Sequence, residues 1–467
     1  MILTRYIWNR GKLYTMMAND GNIYHSASGN SSTEGLSFPG DYAAAISSSQ
    51  RRMLVHQSAF PESVAYNVGI TLNISGNIDR GALESSILSL CSELQNFRKL
   101  YTLTSNGVAT WSVGSQFNPF SADSSADLGR ESFISHSMST PFDLGAGNLL
   151  RCRIDSSEKC TIVTLITHHI CWDAASFPLL INALDEGYNS AVLGNDIGII
   201  PDFRELRNEG APIVEVPLEE SLDYWREFIT KLTTDDPRTL GQSACAVFES
   251  NVIERELDRD LVGLIGEVAY REAVTEFAVV SAALNVSLSA AGGTDTVTIA
   301  STPSTRSGGG EALGFGYFAN TTPYVVKLLP ALNVNDMVTD SSLRLAELIR
   351  YSCVPYEDIV NMARIAKISN PSNLFDIMVQ YSSMDAGTSI GGHSVDFRIL
   401  PSRQVEVPAV FELVSSGDSL DMQIKFRSDM FESSVASILP EMFIRVLAAM
   451  ADTPDARIGD LDLLSDE

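Results

Sequence analysis

An apolar, β-branched run, Cys160-Thr161-Ile162-Val163-Thr164-Leu165-Ile166-Thr167, ends on two adjacent histidines, His168 and His169. Such a run is long enough to cross a sheet and short for a helix, so it reads as a buried strand. Phe177 to Tyr188 then reads as a helix, with Pro178 tolerated in its first turn. A buried strand that gives way to helix so soon belongs to layered α/β architecture.

The same interleaving runs through the chain. Val68 to Ile74 alternates like a half-buried strand. Ile78 to Leu94 follows with Leu83, Ile87, Leu90 and Leu94 on one helical face and Asp79 as a candidate N-cap. Further on, Val274 to Leu288 reads as a long apolar helix, Thr296 to Ala300 and Leu420 to Phe426 as strands, and Ser433 to Met450 as a closing helix. At 467 residues the chain is too long for one ordinary core. The charged, Gly- and Pro-bearing stretch Arg204 to Pro217 is the candidate linker. The expected division is a mobile leader over residues 1–44, Asn-, Gly- and Ser-rich from Thr15 to Ser37, then halves over 45–210 and 218–467.

Composition excludes several functions. A formal net charge of −26 with no Lys/Arg run argues against nucleic-acid binding. No stretch reaches the roughly 18–20 uninterrupted apolar residues of a membrane span, and the N-terminus lacks a secretory pattern. The six cysteines form no C-x-x-C pair and no zinc spacing, so they read as free thiols in a reducing compartment, the cytoplasm. A Walker loop and a G-x-S-x-G elbow are both missing. The Gly-rich stretch from Ser307 to Gly310 lacks the lysine of a phosphate loop and reads as a turn.

That leaves the segment from Thr167 to Ser176. Neighbouring strand residues point to opposite faces, so the two rings should have different surroundings, one packed and one facing a cleft. The same divergence argues against a metal held by the pair. A cleft-facing imidazole can act as general base, or hold a nucleophilic amine or hydroxyl in line with an acyl group. Asp173 could orient an imidazole or pair with a cation to hold the loop. Two satisfied core histidines would give the same dipeptide.

His168-His169-x-x-x-Asp173 resembles the HHxxxDG motif of condensation domains of nonribosomal peptide synthetases, relatives of chloramphenicol acetyltransferase. Other elements agree in order. Ser48-Ser49-Gln50-Arg51-Arg52-Met53 resembles the opening S-x-x-Q-x-R-[LM], and Ala65-Tyr66-Asn67 the A-Y-N after it. Phe97-Arg98-Lys99 stands in the place of L-R-T, and Tyr224-Trp225 matches Y-W. Gly314 to Thr321 resembles G-x-F-V-N-T, Val354-Pro355-Tyr356-Glu357 resembles V-P-F-E, Ser369-Asn370-Pro371 sits at R-N-P, and Ile458 to Ser465 resembles the closing segment. The likeness runs from about residue 45 to the end.

The resemblance implies two chloramphenicol-acetyltransferase-like lobes in a V, with a tunnel between them that phosphopantetheine arms of donor and acceptor carrier proteins enter from opposite ends. It implies His169 as the active residue and His168 as the packed one. Asp173 would pair with an arginine, Arg98 first and Arg306 second. Ser176 sits where the family often has a serine, and Asn320 would help tie the lobes together. The product would be an amide or ester, made without a cofactor or metal of the domain's own, by a monomer. Departures are Ala174 for the motif glycine, Glu93-Leu94-Gln95 for R-H-E, and Ser369 for the arginine of R-N-P. Competing readings are epimerisation, disfavoured by Asn320-Thr321, a stand-alone acyltransferase using acyl-CoA or a free acceptor, and a non-catalytic carrier-docking module. Arg51-Arg52 could meet an acidic carrier or be a solvated surface pair.

Overall fold

The computed structural model describes residues 3–9, 12–19, 22–27, 44–122, 129–195, 216–234, 248–306, 314–368, 374–384, 388–416, 419–461 and 463. The expected linker up to residue 215, the Gly-rich stretch 307–313 and the Ser369-Asn370-Pro371 element lie outside them.

Met1–Ala43 and Ala44–Glu467 are separate units. In the first, β1 (Leu3–Asn9), β2 (Lys12–Asn19) and β3 (Asn22–Ala27) pair antiparallel in that order. A stretch expected as a leader therefore carries strands. Tyr6, Ile7, Trp8, Tyr14 and Thr15 are strand formers whose signal was hidden by the Asn and Gly around them.

The second unit begins with β4 (Ala44–Ala45), α1 (Ser48–Ala59), β5 (Asn67–Ser75), α2 (Arg80–Glu93), β6 (Lys99–Leu103) and β7 (Ala109–Val113). It continues with α3 (Arg130–Ser139), β8 (Leu150–Ser156), β9 (Cys160–His168) and α4 (Phe177–Val192). Asp79 caps α2 by accepting from the Ala82 N–H at 3.0 Å. One face of β5, with Ile70, Leu72 and Ile74, packs with Leu83, Ile87 and Leu184 of α2 and α4 into a first core. The opposite face turns toward α3.

The remainder comprises α5 (Leu218–Thr234), β10 (Asn251–Leu257), α6 (Arg259–Glu272), α7 (Glu276–Gly292), β11 (Thr296–Ser301) and β12 (Thr322–Lys327). After these come α8 (Val334–Arg350), α9 (Tyr356–Ile365), β13 (Ile377–Met384), β14 (Ser389–Ile390) and β15 (His393–Leu400). The last elements are β16 (Ala409–Ser416), β17 (Ser419–Phe426) and α10 (Ser433–Asp452). A mixed sheet ordered β10-β17-β16-β13-β11-β12 lies against α7 and α10, forming a second core. α10 is long and apolar enough to span a bilayer, but Leu439, Phe443, Val446 and Leu447 are buried in that core.

The first sheet has the order β14-β15-β5-β9-β8. Its β15 comes from the second half of the chain and pairs antiparallel with β5, from Val395↔Ile74 to Leu400↔Gly69. The halves at 45–210 and 218–467 are thus exchanged in space by one excursion. The result is two α/β lobes, each built on its own sheet.

Candidate active site

His168 is the last residue of β9. It faces Asn67 across the ladder, and the Asn67 amide donates to the carbonyls of Met138 and Thr140 at 3.0 and 2.9 Å. The ring is wholly buried. Its Nδ1 accepts the Ile170 N–H at 3.1 Å, which leaves the proton of the neutral ring on Nε2. Burial, then the neighbouring His169 and His56, push its pKa down to about 3. His168 is a buried, neutral ring.

His169 opens a short 3-10 turn, so the two rings diverge because the strand stops between them. Its backbone N–H donates to the Tyr66 carbonyl at 2.8 Å. Its Nδ1 lies 2.8 Å from the Trp172 carbonyl. A carbonyl only accepts, so Nδ1 carries the proton and Nε2 keeps its lone pair. Trp172 is buried edge-on against Phe97, Phe177 and Phe315, which fixes that carbonyl. The His169 ring is half-buried and meets Tyr317 edge-on at 5.0 Å. Burial lowers its pKa, against the raising effects of the Trp172 carbonyl, Asp173 and Glu412, while Lys425 lowers it further. The ring is therefore a neutral imidazole with an unprotonated Nε2.

Asp173 does not touch either imidazole. Its carboxylate takes the two-pronged guanidinium of Arg306, with Nη1 to Oδ2 at 2.7 Å and Nη2 to Oδ1 at 2.6 Å, and the Phe318 N–H at 2.9 Å. Both side chains are buried. The fully buried Ser176 hydroxyl accepts from Arg306 at 2.9 Å and from the Gly316 N–H at 3.2 Å, and lies 3.0 Å from the Gly316 carbonyl. Together Asp173 and Ser176 clamp the 314–321 segment of the second lobe over the histidine turn. Asn96 adds a bond to the Phe315 carbonyl at 2.7 Å.

Two expectations are corrected. Arg98, the first choice as partner of Asp173, donates instead to the carbonyls of Gly114 and Ser92 at 3.1 and 2.8 Å. It is folded back on its own lobe, and Arg306 takes the role. Asn320 does not tie the lobes. Its amide donates to the carbonyls of Ser352 and Val354 at 2.9 and 2.7 Å and its oxygen accepts the Tyr356 N–H at 3.2 Å, all within the second lobe. Nor are Arg51 and Arg52 alike. Arg51 is exposed, whereas Arg52 reaches inward to Glu357 at 3.7 Å. Ala174 is free of positive φ, which among described non-glycine residues occurs only at Ala273 and Lys367. Among the described residues no three His, Cys, Asp or Glu side chains converge as a metal site.

The sequence reading missed Tyr317, Glu412 and Lys425. Glu412 and Lys425 form an ion pair at 2.7 Å and are buried. Leu420 to Phe426 reads as a strand from its alternation, which by itself says nothing of what covers Lys425. A cleft of about 1090 Å³ lies beneath β15, lined by Thr71 and Ile162 of the first sheet, Met138 of α3, and Glu254 of β10. His169 is not on its wall. Glu254 and Ile399 are among its lining residues, and both are hydrogen-bonded by Gln423, which stands opposite Glu412 in the sheet.

The sequence pattern of the Condensation domain family matches residues 42–467. The chain belongs to that family. This condensation domain is 24% identical over 450 residues to chondramide synthase cmdD of Chondromyces crocatus, covering 90% of the chain and 11% of the relative. It is 23% identical over 432 residues to surfactin synthase subunit 2 of Bacillus subtilis (strain 168), covering 90% and 12%. The domain thus spans about a tenth of the length of these relatives. Its fold is similar to the first condensation domain of the calcium-dependent antibiotic synthetase, with a TM-score of 0.73 at 16% identity, covering 90% of this chain and 99% of that one. The X-domain from teicoplanin biosynthesis is also similar, with a TM-score of 0.66 at 18% identity, covering 92% and 99%. The two-lobe chloramphenicol-acetyltransferase-like fold accounts for the paired sheets, and a condensation domain is by class an acyl-transferring enzyme.

Proposed function

We propose that this domain joins an acyl or peptidyl group, carried as a thioester on the phosphopantetheine arm of a donor carrier protein, to an amine or hydroxyl brought by an acceptor carrier, in secondary-metabolite synthesis. The observation that carries this is the Nδ1 bond of His169 to the Trp172 carbonyl, which leaves a lone pair on Nε2 of a half-buried ring beside the junction of the lobes. Nε2 accepts the N–H or O–H of the nucleophile. The nucleophile attacks the thioester carbonyl, the C–N or C–O bond forms, the C–S bond breaks, and the proton passes to the departing thiolate. The steps balance without a resident cofactor or metal. Holding two tethered groups together supplies several kcal/mol of the barrier, and a placed base adds about 10²–10⁴-fold.

Cys91, Cys152, Cys160, Cys171 and Cys353 are free thiols, which suits a reducing, cytoplasmic setting, and a monomer is sufficient for the site as built. The test is product formation with both carriers loaded. His169→Ala should lose about 10²–10⁴-fold in turnover while keeping its melting temperature. Turnover near the unaltered rate removes His169 from the mechanism. Product from acyl-CoA with no carrier present favours a stand-alone acyltransferase instead.

A further inference from the structure

A single hydrogen bond does not fix the plane of a ring. The bond from His169 Nδ1 to the Trp172 carbonyl, at 2.8 Å, holds one corner of the imidazole. It leaves the ring free to tilt about that corner, and tilting carries Nε2 with it. The second contact comes from Tyr317 in the other lobe, whose ring lies with its centroid 5.0 Å from that of His169 and its plane at 81° to it. Aromatic rings prefer this edge-to-face arrangement. Tyr317 is 8% exposed, so the contact is shielded from bulk water.

The backbone on both sides of Tyr317 is pinned by the residues that follow the histidines. Before it, the Gly316 carbonyl accepts from the Asp173 N–H at 3.2 Å and from Arg306 Nη2 at 2.9 Å, and the Gly316 N–H donates to the Ser176 hydroxyl at 3.2 Å. After it, the Phe318 N–H donates to the Asp173 carboxylate at 2.9 Å, and the Phe318 carbonyl accepts the Thr305 N–H at 2.8 Å. The neighbouring rings are turned elsewhere. Phe315 packs on Phe97 and Trp172, and Phe318 covers the Arg306 guanidinium, so Tyr317 is the ring of this segment that meets His169. Burial pushes the Tyr317 phenol up to about 12, with Arg52 opposing, so it stays protonated and brings no charge to the imidazole.

We propose that Tyr317 is a positioning residue for His169, its ring setting the plane of the imidazole so that Nε2 faces the nucleophile, and that the Asp173–Arg306–Ser176 clamp serves to aim it. This accounts for an aspartate that touches neither imidazole yet stands four positions after His169. Its N–H and its carboxylate hold the two sides of Tyr317.

In its consequence for catalysis this rests on the function proposed above, but its core is measurable on the unliganded chain. NMR of ¹⁵N-labelled histidine reports which ring nitrogen carries the proton, and His169→Ala assigns one of the six rings. The unaltered protein and Tyr317→Phe should both show His169 as a single Nδ1–H tautomer. Tyr317→Leu should show the two tautomers mixed, because a ring free to tilt lets go of the Trp172 carbonyl. With both carriers loaded, Tyr317→Leu should lower kcat by about 10²-fold, the scale of a 1 Å misplacement. KM should change by less than about threefold, since the loss falls on the reacting geometry and not on binding. Tyr317→Phe should stay within about threefold of the unaltered kcat, because it keeps the ring contact. A Tyr317→Leu protein with an unmixed tautomer and intact turnover overturns the proposal. So does a Tyr317→Phe protein that falls as far as Tyr317→Leu, which would assign the effect to the hydroxyl. Should Tyr317→Leu fail to fold, Tyr317→Met carries the same comparison. Tautomers that mix as expected in a protein whose unaltered form makes no product would uphold the positioning and count against the proposed reaction.

Discussion

At the scale of single residues, the site consists of a few side chains whose partners decide their chemistry. Arg306 uses its whole fork. Nη1 and Nη2 bind Asp173, Nε donates to the Gly314 carbonyl at 2.9 Å, and Phe318 covers the guanidinium at 4.5 Å. Arg306→Met should therefore destabilise the domain by about 3–5 kcal/mol, because it strands the Asp173 carboxylate in a buried place. Urea titration measures this, and a change below 1 kcal/mol contradicts it. Arg98→Met should cost less, since its donors serve two carbonyls and no charge. The comparison separates the two arginines offered by the sequence. The histidine pair, Asp173 and Ser176 were legible because chemistry and spacing lie within ten positions. The arginine was reached only as a second choice, because Arg306 lies 133 positions from Asp173 and nothing local marks it. Glu412 and Lys425 were unreadable for a related reason. A polar residue on an alternating strand looks solvated until a second lobe covers it.

Elements were more legible than contacts. β5, α2, β9, α4, β11, β17 and α10 all lie where apolar patterning places them, because each buries one face, or in β9 and β11 both. The α7 expectation began two residues early, since Thr275 caps the helix by accepting the Ala278 N–H at 3.2 Å. What periodicity does not reveal is how closely elements approach. α2 and α4 come together at Gly187, where an added Cβ would lie 2.4 Å from the Ser86 hydroxyl. That hydroxyl is itself bonded to the Leu184 carbonyl at 2.9 Å and cannot step aside freely. Gly187→Val should thus force the helices apart, at a cost of about 1–3 kcal/mol from overpacking. Thermal melting checks it. Gly194→Val, on an open stretch with no atom within 4 Å, is a poor control because its φ is +68°, so Gly129→Val serves better, having equal space and ordinary φ.

For the whole molecule, the exchanged strand matters more than the division of sequence into halves. β15 was not singled out from the sequence, although Val395, Phe397 and Ile399 alternate in it. Its sheet could not be read locally, because pairing with β5 joins residues more than 300 positions apart, as in Ser394 to Ser75 at 2.9 Å. Without β15 the long central strand β5 becomes an open edge, with unpaired backbone groups and the apolar side of Ile70 and Leu72 beside it. The Asp173–Arg306 clamp crosses the same junction. A fragment of residues 42–217 should therefore aggregate when made alone. Made together with a fragment of residues 218–467, it should stay in solution and co-purify with it in equal amounts. Removing residues 388–400 from the second fragment takes away the strand that completes the first sheet, so co-purification should fall at least about tenfold, as expected for a loss of 1.4 kcal/mol or more in association. A first fragment that folds alone, with cooperative melting and a monomeric elution volume, would show that β15 merely decorates a complete lobe. The lobe junction would then have to be held by the 314–321 segment with its clamp and by side-chain bonds such as Val64 N–H to Gln404 and Arg52 to Glu357.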